Sequence, residues 1–181
     1  MFRLRRSPRR LDGKRLFVPP DFFAAREREA RFWAPDETGG MLLGYATDDG
    51  PQADVVVTDV LGAGPKAKRL RSRFEPDGSW QQERLERLYR SSGRTTTYLG
   101  DWHSHPTGGV RPSETDRNTY ERVSKDRQSR RPHPVVVIIG LRRRRGRVAA
   151  YVFLAHELHE VELIVLEQSH ELIGLQADRL R

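Results

Sequence analysis

Apolar positions in this chain come in short runs broken by Gly, Pro and charge, a pattern of strands and short helices. Leu16-Phe17-Val18 reads as a first short strand. Pro19-Pro20-Asp21 then opens a helix in which Phe22, Phe23, Ala25, Glu29 and Phe32 recur at roughly helical spacing, until Pro35 stops it. Met41-Leu42-Leu43-Gly44-Tyr45 and Val55-Val56-Val57 are joined through Asp48-Asp49-Gly50-Pro51 and read as a hairpin. Residues 62–79 mix Gly, Pro, Lys and Arg and read as a loop with room for an edge strand. Trp80 to Arg90 predicts a helix with Leu85 and Leu88 inward, stopped by Ser91-Ser92-Gly93. Thr95-Thr96-Thr97-Tyr98-Leu99 is β-branched and aromatic, hence a strand, and it runs straight into Gly100-Asp101-Trp102-His103-Ser104-His105-Pro106. Ser113 to Gln128 predicts a helix, Pro134 to Gly140 a buried strand and Val148 to Ala155 another, with Arg142 to Gly146 as the turn between those strands. Val161 to Leu166 is either a last strand or the start of a C-terminal helix. Helices interspersed among mostly hairpin-linked strands predict a mixed α/β (α+β) domain over residues 16–181, after a loosely docked basic arm at residues 1–15.

Composition narrows the chemistry. The 181 residues are enough for one sizeable core, and cysteine is absent. Thiolate sites and disulfides are therefore excluded, so any metal must sit on imidazole and carboxylate. The longest apolar runs are strand-sized, which predicts no membrane span, and the basic N-terminus lacks the apolar stretch of a signal peptide. A cytoplasmic protein is expected. The formal net charge is +8, concentrated at Arg3 to Arg10, Lys66 to Arg73, Arg127 to Arg131 and Arg142 to Arg147. Such clusters can attract nucleic acid or an acidic protein partner. No nucleic-acid motif accompanies them, so a solvated surface is the simpler expectation.

The chemistry gathers around His103-Ser104-His105. Residues i and i+2 at a strand end project from one face, so two imidazoles stand together, half of a zinc site. Pro106 breaks the strand, Thr107-Gly108-Gly109 turns the chain, and Pro112-Ser113-Glu114-Thr115-Asp116 opens the next helix. Asp116, three residues after Ser113, can supply a third ligand from that helix's first turn. Two His and one carboxylate leave a fourth tetrahedral position for water, as in catalytic zinc sites. Each fragment also has a plainer reading: His-X-His as strand surface, Ser-X-X-Asp as a helix cap.

His103-Ser104-His105-Pro106, seven residues after His105, then Ser113-X-X-Asp116, resembles the signature of the JAMM zinc metalloproteases of the MPN type. Glu37-Thr38-Gly39-Gly40-Met41-Leu42-Leu43-Gly44 resembles the upstream glutamate element of that family. The resemblance implies an MPN-like domain with a central mixed sheet flanked by helices. It implies one catalytic Zn2+ on His103, His105 and Asp116, Glu37 as the proton acceptor, and Ser113 as the donor to the oxyanion. It further implies hydrolysis of peptide or isopeptide bonds after a ubiquitin-like C-terminus, with that protein or its conjugate as substrate and conjugation-pathway enzymes as partners. Tyr98-Leu99-Gly100-Asp101-Trp102-His103 is similar to stand-alone bacterial members linked to ubiquitin-like conjugation and antiphage defence. A sulfur-carrier substrate of the same fold is a related possibility. An inactive scaffold and a nucleic-acid-associated protein are the alternatives from other classes.

Several motifs are decoys. His156-Glu157-Leu158-His159 is one residue short of a zincin helix, Gly62-Ala63-Gly64-Pro65-Lys66 lacks the P-loop ending, and His133 and His170 have no partner spacing. His156 to Glu160 are expected at the exposed edge of a turn or strand. Asp101, two residues before His103, can serve as an outer carboxylate, but a solvent or structural contact is its expected role.

Overall fold

The computed structural model describes residues 8–142 and 145–167. His170, Arg143 and Arg144, and residues 1–7 of the basic arm lie outside the described residues. Along the chain run β1 (Arg10–Val18), α1 (Phe22–Trp33), β2 (Gly39–Ala46), β3 (Val55–Gly62), β4 (Lys68–Leu70), β5 (Arg73–Glu75), α2 (Gly78–Ser91), β6 (Thr97–His105), α3 (Glu114–Lys125), β7 (Val135–Arg142), β8 (Arg145–Leu154) and β9 (Glu157–Val165). Seven strands form one sheet in the order β1-β3-β2-β6-β7-β8-β9, and β9 returns to pair with β1, so the sheet closes into a barrel. The β1–β3, β1–β9 and β6–β7 pairs are parallel and the rest antiparallel, the mixed sheet that was expected. Strands β4 and β5 make a separate hairpin out of the expected loop. No described helix is long and apolar enough to cross a membrane.

The unbroken apolar run of β7 explains how the layers stack. Val135, Val137 and Ile139 join Phe22 and Ala30 of α1 in one core, with Leu16, Leu42, Val55, Leu99 and Trp102. Val136 and Ile138 point the other way, to Tyr120 of α3 and to Tyr151 and Phe153 of β8. A strand covered on both faces has no polar face to show in its sequence. Phe32 lies in the predicted helix but is 77% exposed. It follows Phe22 by ten residues, which falls ~80° short of three whole turns and carries it off the buried face.

The arm is also corrected. β1 begins at Arg10, six residues inside the segment expected to be loose. Arg10 and Arg15 stand opposite Glu160 and Glu162 of β9, and Arg15 binds Asp54, with Nε 3.1 Å from Oδ2. Lys14 is almost fully buried and donates to the Ala53 carbonyl at 2.5 Å. Opposite charges across the strand pairs overcome a sequence that reads as solvated.

Burial, helped by the nearby Arg131 cation, lowers the Lys14 pKa to about 8 from 10.5. Between those values the unfolded chain holds the proton that the folded chain has released, so stability rises with pH. From pH 8 to 9.5 this group adds roughly 2 kcal/mol. Thermal unfolding should show that gain in the native protein and not in Lys14→Met; an equal gain in both would remove Lys14 as its source.

At the C-terminal end, β9 settles the strand-or-helix alternative as strand. Ala155 and His156, both at positive φ, turn β8 into β9, a hairpin geometry that usually carries Asn or Gly. His156 sits in that exposed turn and His159 on β9 opposite Val152, as expected of these decoys.

Candidate metal centre

The centre is built where β6 leaves the barrel. β6 lies between β2, which places Gly39 opposite His103, and β7, which places Ile138 opposite His103. Gly100 lets this strand pass: its φ is +150°, and a Cβ there would stand 1.9 Å from the Val135 carbonyl oxygen. Strand alternation then sends Trp102 and Ser104 into the protein, both fully buried, and His103 and His105 to the other face. Their Nε2 atoms are 3.1 Å apart. Beyond Pro106 the chain turns back, and His105 Nδ1 lies 3.0 Å from the Gly109 carbonyl. That contact puts the proton on Nδ1 and leaves the Nε2 lone pair facing the centre.

The same turn delivers α3. Ser113 is its N-cap and Asp116 its third residue, in a reciprocal capping box: Asp116 N donates to Ser113 Oγ at 3.1 Å and Ser113 N donates to Asp116 Oδ2 at 2.6 Å. The cap and the site therefore coexist. The capping bond locks the carboxylate with Oδ1 3.2 Å from His103 Nε2 and Oδ2 3.6 Å from His105 Nε2. Burial alone would raise the Asp116 pKa, but hydrogen bonds from His103 and His105 outweigh it and hold the carboxyl far below the usual range. For His105, burial works to lower the pKa, and the Asp116 hydrogen bond and charge outweigh it and raise it.

Could the three hold a metal? Their donor atoms all lie within 4.8 Å of one another. Bonds of ~2.0–2.1 Å at tetrahedral angles set donors ~3.3 Å apart. The spacings of 3.1, 3.2 and 3.6 Å bracket that figure. Two imidazole lone pairs and a carboxylate converging on one point fit a divalent cation.

Glu37 arrives from a distant part of the chain. Thr38 N donates to the buried Ser104 Oγ at 3.0 Å, and Ser104 N donates to the Thr38 carbonyl at 2.8 Å. This clamp ties the residue after Glu37 to the residue between the two histidines. On its other side Glu37 N donates to the Leu70 carbonyl of β4 at 2.9 Å. Burial pushes the Glu37 pKa up, and the adjacent histidines partly offset it. Asp101 takes its expected structural contact: Tyr98 donates its hydroxyl to Asp101 Oδ2 at 2.6 Å, and burial raises the Asp101 pKa to about 6.

Glu37, His103, His105, Ser113 and Asp116 share one open cleft of about 800 Å³. Sequence reasoning missed its outer wall. Arg71 to Pro76, the turn and second strand of the β4–β5 hairpin, line it together with Thr115, Thr119 and Arg122 of α3. Arg69 stacks 3.8 Å over the Trp33 ring and donates to Thr38 Oγ1, anchoring the hairpin beside Glu37. The only local signal was the arginine-rich composition of residues 66–73.

Residues 20–153 match the family of prokaryotic homologs of the JAB domain. The chain belongs to that family. Over 128 residues, covering 70% of this chain and 76% of the relative, it is 38% identical to a probable metalloprotease of Sinorhizobium fredii. It is 34% identical over 86 residues to a CD-NTase/cGAS isopeptidase of Vibrio cholerae, a match covering 48% of this chain and 53% of that one. A solution structure of a Desulfitobacterium hafniense protein shares the fold, with a TM-score of 0.65 over 86% of this chain and 96% of that one at 23% identity. All five site residues of this JAB-domain chain fall inside the matched stretch.

Proposed function

We propose that this JAB-domain protein is a zinc-dependent isopeptidase or peptidase of the JAMM type, acting after the C-terminus of a ubiquitin-like protein in deconjugation or precursor processing. The observation that carries this reading is the convergence of His103, His105 and Asp116 at metal-binding spacing in a cleft shared with Glu37 and Ser113. Relatives named as a metalloprotease and as isopeptidases support the reaction class; a role in antiviral defence in the cytoplasm is part of the same proposal.

Held by the two Nε2 atoms and the Asp116 carboxylate, a zinc ion would supply a water of pKa ~7 and polarise the scissile carbonyl. Glu37 accepts the proton of the attacking water as its oxygen bonds the carbonyl carbon. It returns that proton to the departing nitrogen as the C–N bond breaks, leaving a carboxylate and an amine. A raised pKa makes this carboxylate a stronger base for that proton. Ser113 Oγ accepts from the Asp116 amide, which leaves its own O–H to donate to the developing oxyanion. A Gly-rich tail can bind as an added strand, held by main-chain hydrogen bonds. The β4–β5 hairpin lines the cleft and its strands pair only with each other, so it offers a free strand edge there.

The test is a fusion of a ubiquitin-like domain to a reporter through its C-terminal glycine, alongside the lysine-linked conjugate. Zinc-loaded protein should release both at that glycine by intact mass, a chelator should stop release, and added zinc should restore it. A chain that holds one zinc yet cleaves no such fusion or conjugate would reject this substrate class.

A further inference from the structure

The charges on the cleft walls are uneven once the central carboxylates are assigned. Asp116 belongs to the three-donor centre, Glu37 to proton transfer, and Asp101 is tied to Tyr98. What remains is Arg71, Arg73 and Arg122 against Glu75. Glu75 is taken by Arg73 at 2.5 Å. Among the described residues Arg71 makes no ion pair, and Arg122 reaches only the Thr119 hydroxyl, at 3.3 Å. Two arginines without a carboxylate partner among the described residues therefore line the cleft, one from the β4–β5 hairpin and one from α3.

Their positions relative to the centre follow from the fold. Arg71 directly follows Leu70, whose carbonyl accepts the Glu37 amide, so it stands beside the proton-transfer group. Arg122 is six residues along α3 from Asp116, ~9 Å by the helical rise. An extended peptide covers that distance in about three residues. We infer that the cleft selects an acidic peptide: a substrate segment with carboxylate side chains close to the scissile bond and again about three residues away, read by Arg71 and Arg122. The inference rests on the hydrolytic reading only for where the scissile bond lies.

A single nucleic-acid strand would also be drawn to guanidiniums, but it needs aromatic faces on which to stack. The aromatic residues lining this cleft are Phe74 and Tyr120. Phe74 is half-buried with its ring edge against Gly39, and Tyr120 of α3 is buried. The cleft therefore lacks the row of exposed rings on which successive bases stack, so the peptide is favoured.

The test reads binding, not turnover. Full-length Glu37→Gln protein loaded with zinc is titrated into three labelled peptides of equal length, each with a central Gly-Gly flanked on both sides by Glu, Gln or Lys. At low salt the Glu peptide should bind ~5–25-fold more tightly than the Gln peptide, as two exposed ion pairs allow. The Lys peptide should be weakest, and the preference should fade by about 0.5 M salt. Arg71→Gln and Arg122→Gln should each reduce the Glu-to-Gln ratio by ~2–5-fold. Arg28→Gln, on the exposed side of α1, should leave that ratio unchanged. Equal affinity for the Glu and Gln peptides, no binding of any peptide, or an equal loss in Arg28→Gln would overturn the inference. So would an oligothymidylate of matched charge that binds more tightly than the Glu peptide. Failure to cleave any substrate would sink the hydrolytic reading and leave the ratio standing; equal ratios in a protein that cleaves would sink this inference alone.

Discussion

Glu37→Gln is expected to lower kcat by ~10²–10⁴-fold while the protein keeps one metal ion per chain. The substitution is nearly isosteric. It keeps the Glu37 backbone bond to Leu70 and the Thr38–Ser104 clamp, since neither uses the Glu37 side chain. It removes only a carboxylate able to take and return a proton, so KM should move far less than kcat. Zinc analysis and steady-state cleavage of the ubiquitin-like fusion, measured on the same preparation, decide the point. Unchanged cleavage would take the proton-transfer role from Glu37, and lost zinc would place Glu37 among the ligands.

Substitution at Asp116 separates two roles that its carboxylate combines. Asp116→Ala removes the acceptor for the Ser113 amide as well as the metal donor. It should lose cleavage and bound metal, and lose ~1 kcal/mol of stability with the cap. Asp116→Asn keeps an oxygen to accept from Ser113 and surrenders the charge. It should melt close to the native apoprotein and bind zinc at least ~100-fold more weakly, beyond the range typical of an outer-sphere partner. If Asp116→Asn held zinc with native affinity, the carboxylate would not be a ligand. If Asp116→Ala melted like the native apoprotein, the capping box would contribute nothing.

Comparing residues shows why some of this site was readable and some was not. His103, His105, Ser113 and Asp116 lie within fourteen positions. Their geometry follows from two local rules, strand alternation and the first turn of a capped helix, so spacing alone carries it. Glu37 is different. It comes close to His103 only because β2 runs antiparallel to β6 with Gly39 opposite His103, and because Ser104 grips Thr38 across 66 positions. Here the sequence offered a resemblance and no physical derivation. Phe32 shows a related limit: helical spacing held, but ten residues of drift turned it off the face that the barrel covers, which spacing alone does not reveal.

By itself the sequence determined most of the elements, the absence of thiolate chemistry, and the local half of the site. Short apolar runs and turn residues act on a few neighbours at a time, and those interactions survive in any tertiary setting. Only the tertiary structure decided the rest. Pairing β1 with β9 closes the sheet, a contact between residues some 150 positions apart that no local pattern encodes. The same closure leaves the cleft edge to the β4–β5 hairpin, pinned by Arg69 on Trp33 and Thr38. What had read as an arginine-rich loop thereby becomes a wall of the cleft, because β6, which carries the two histidines, is already paired on both edges, with β2 and with β7.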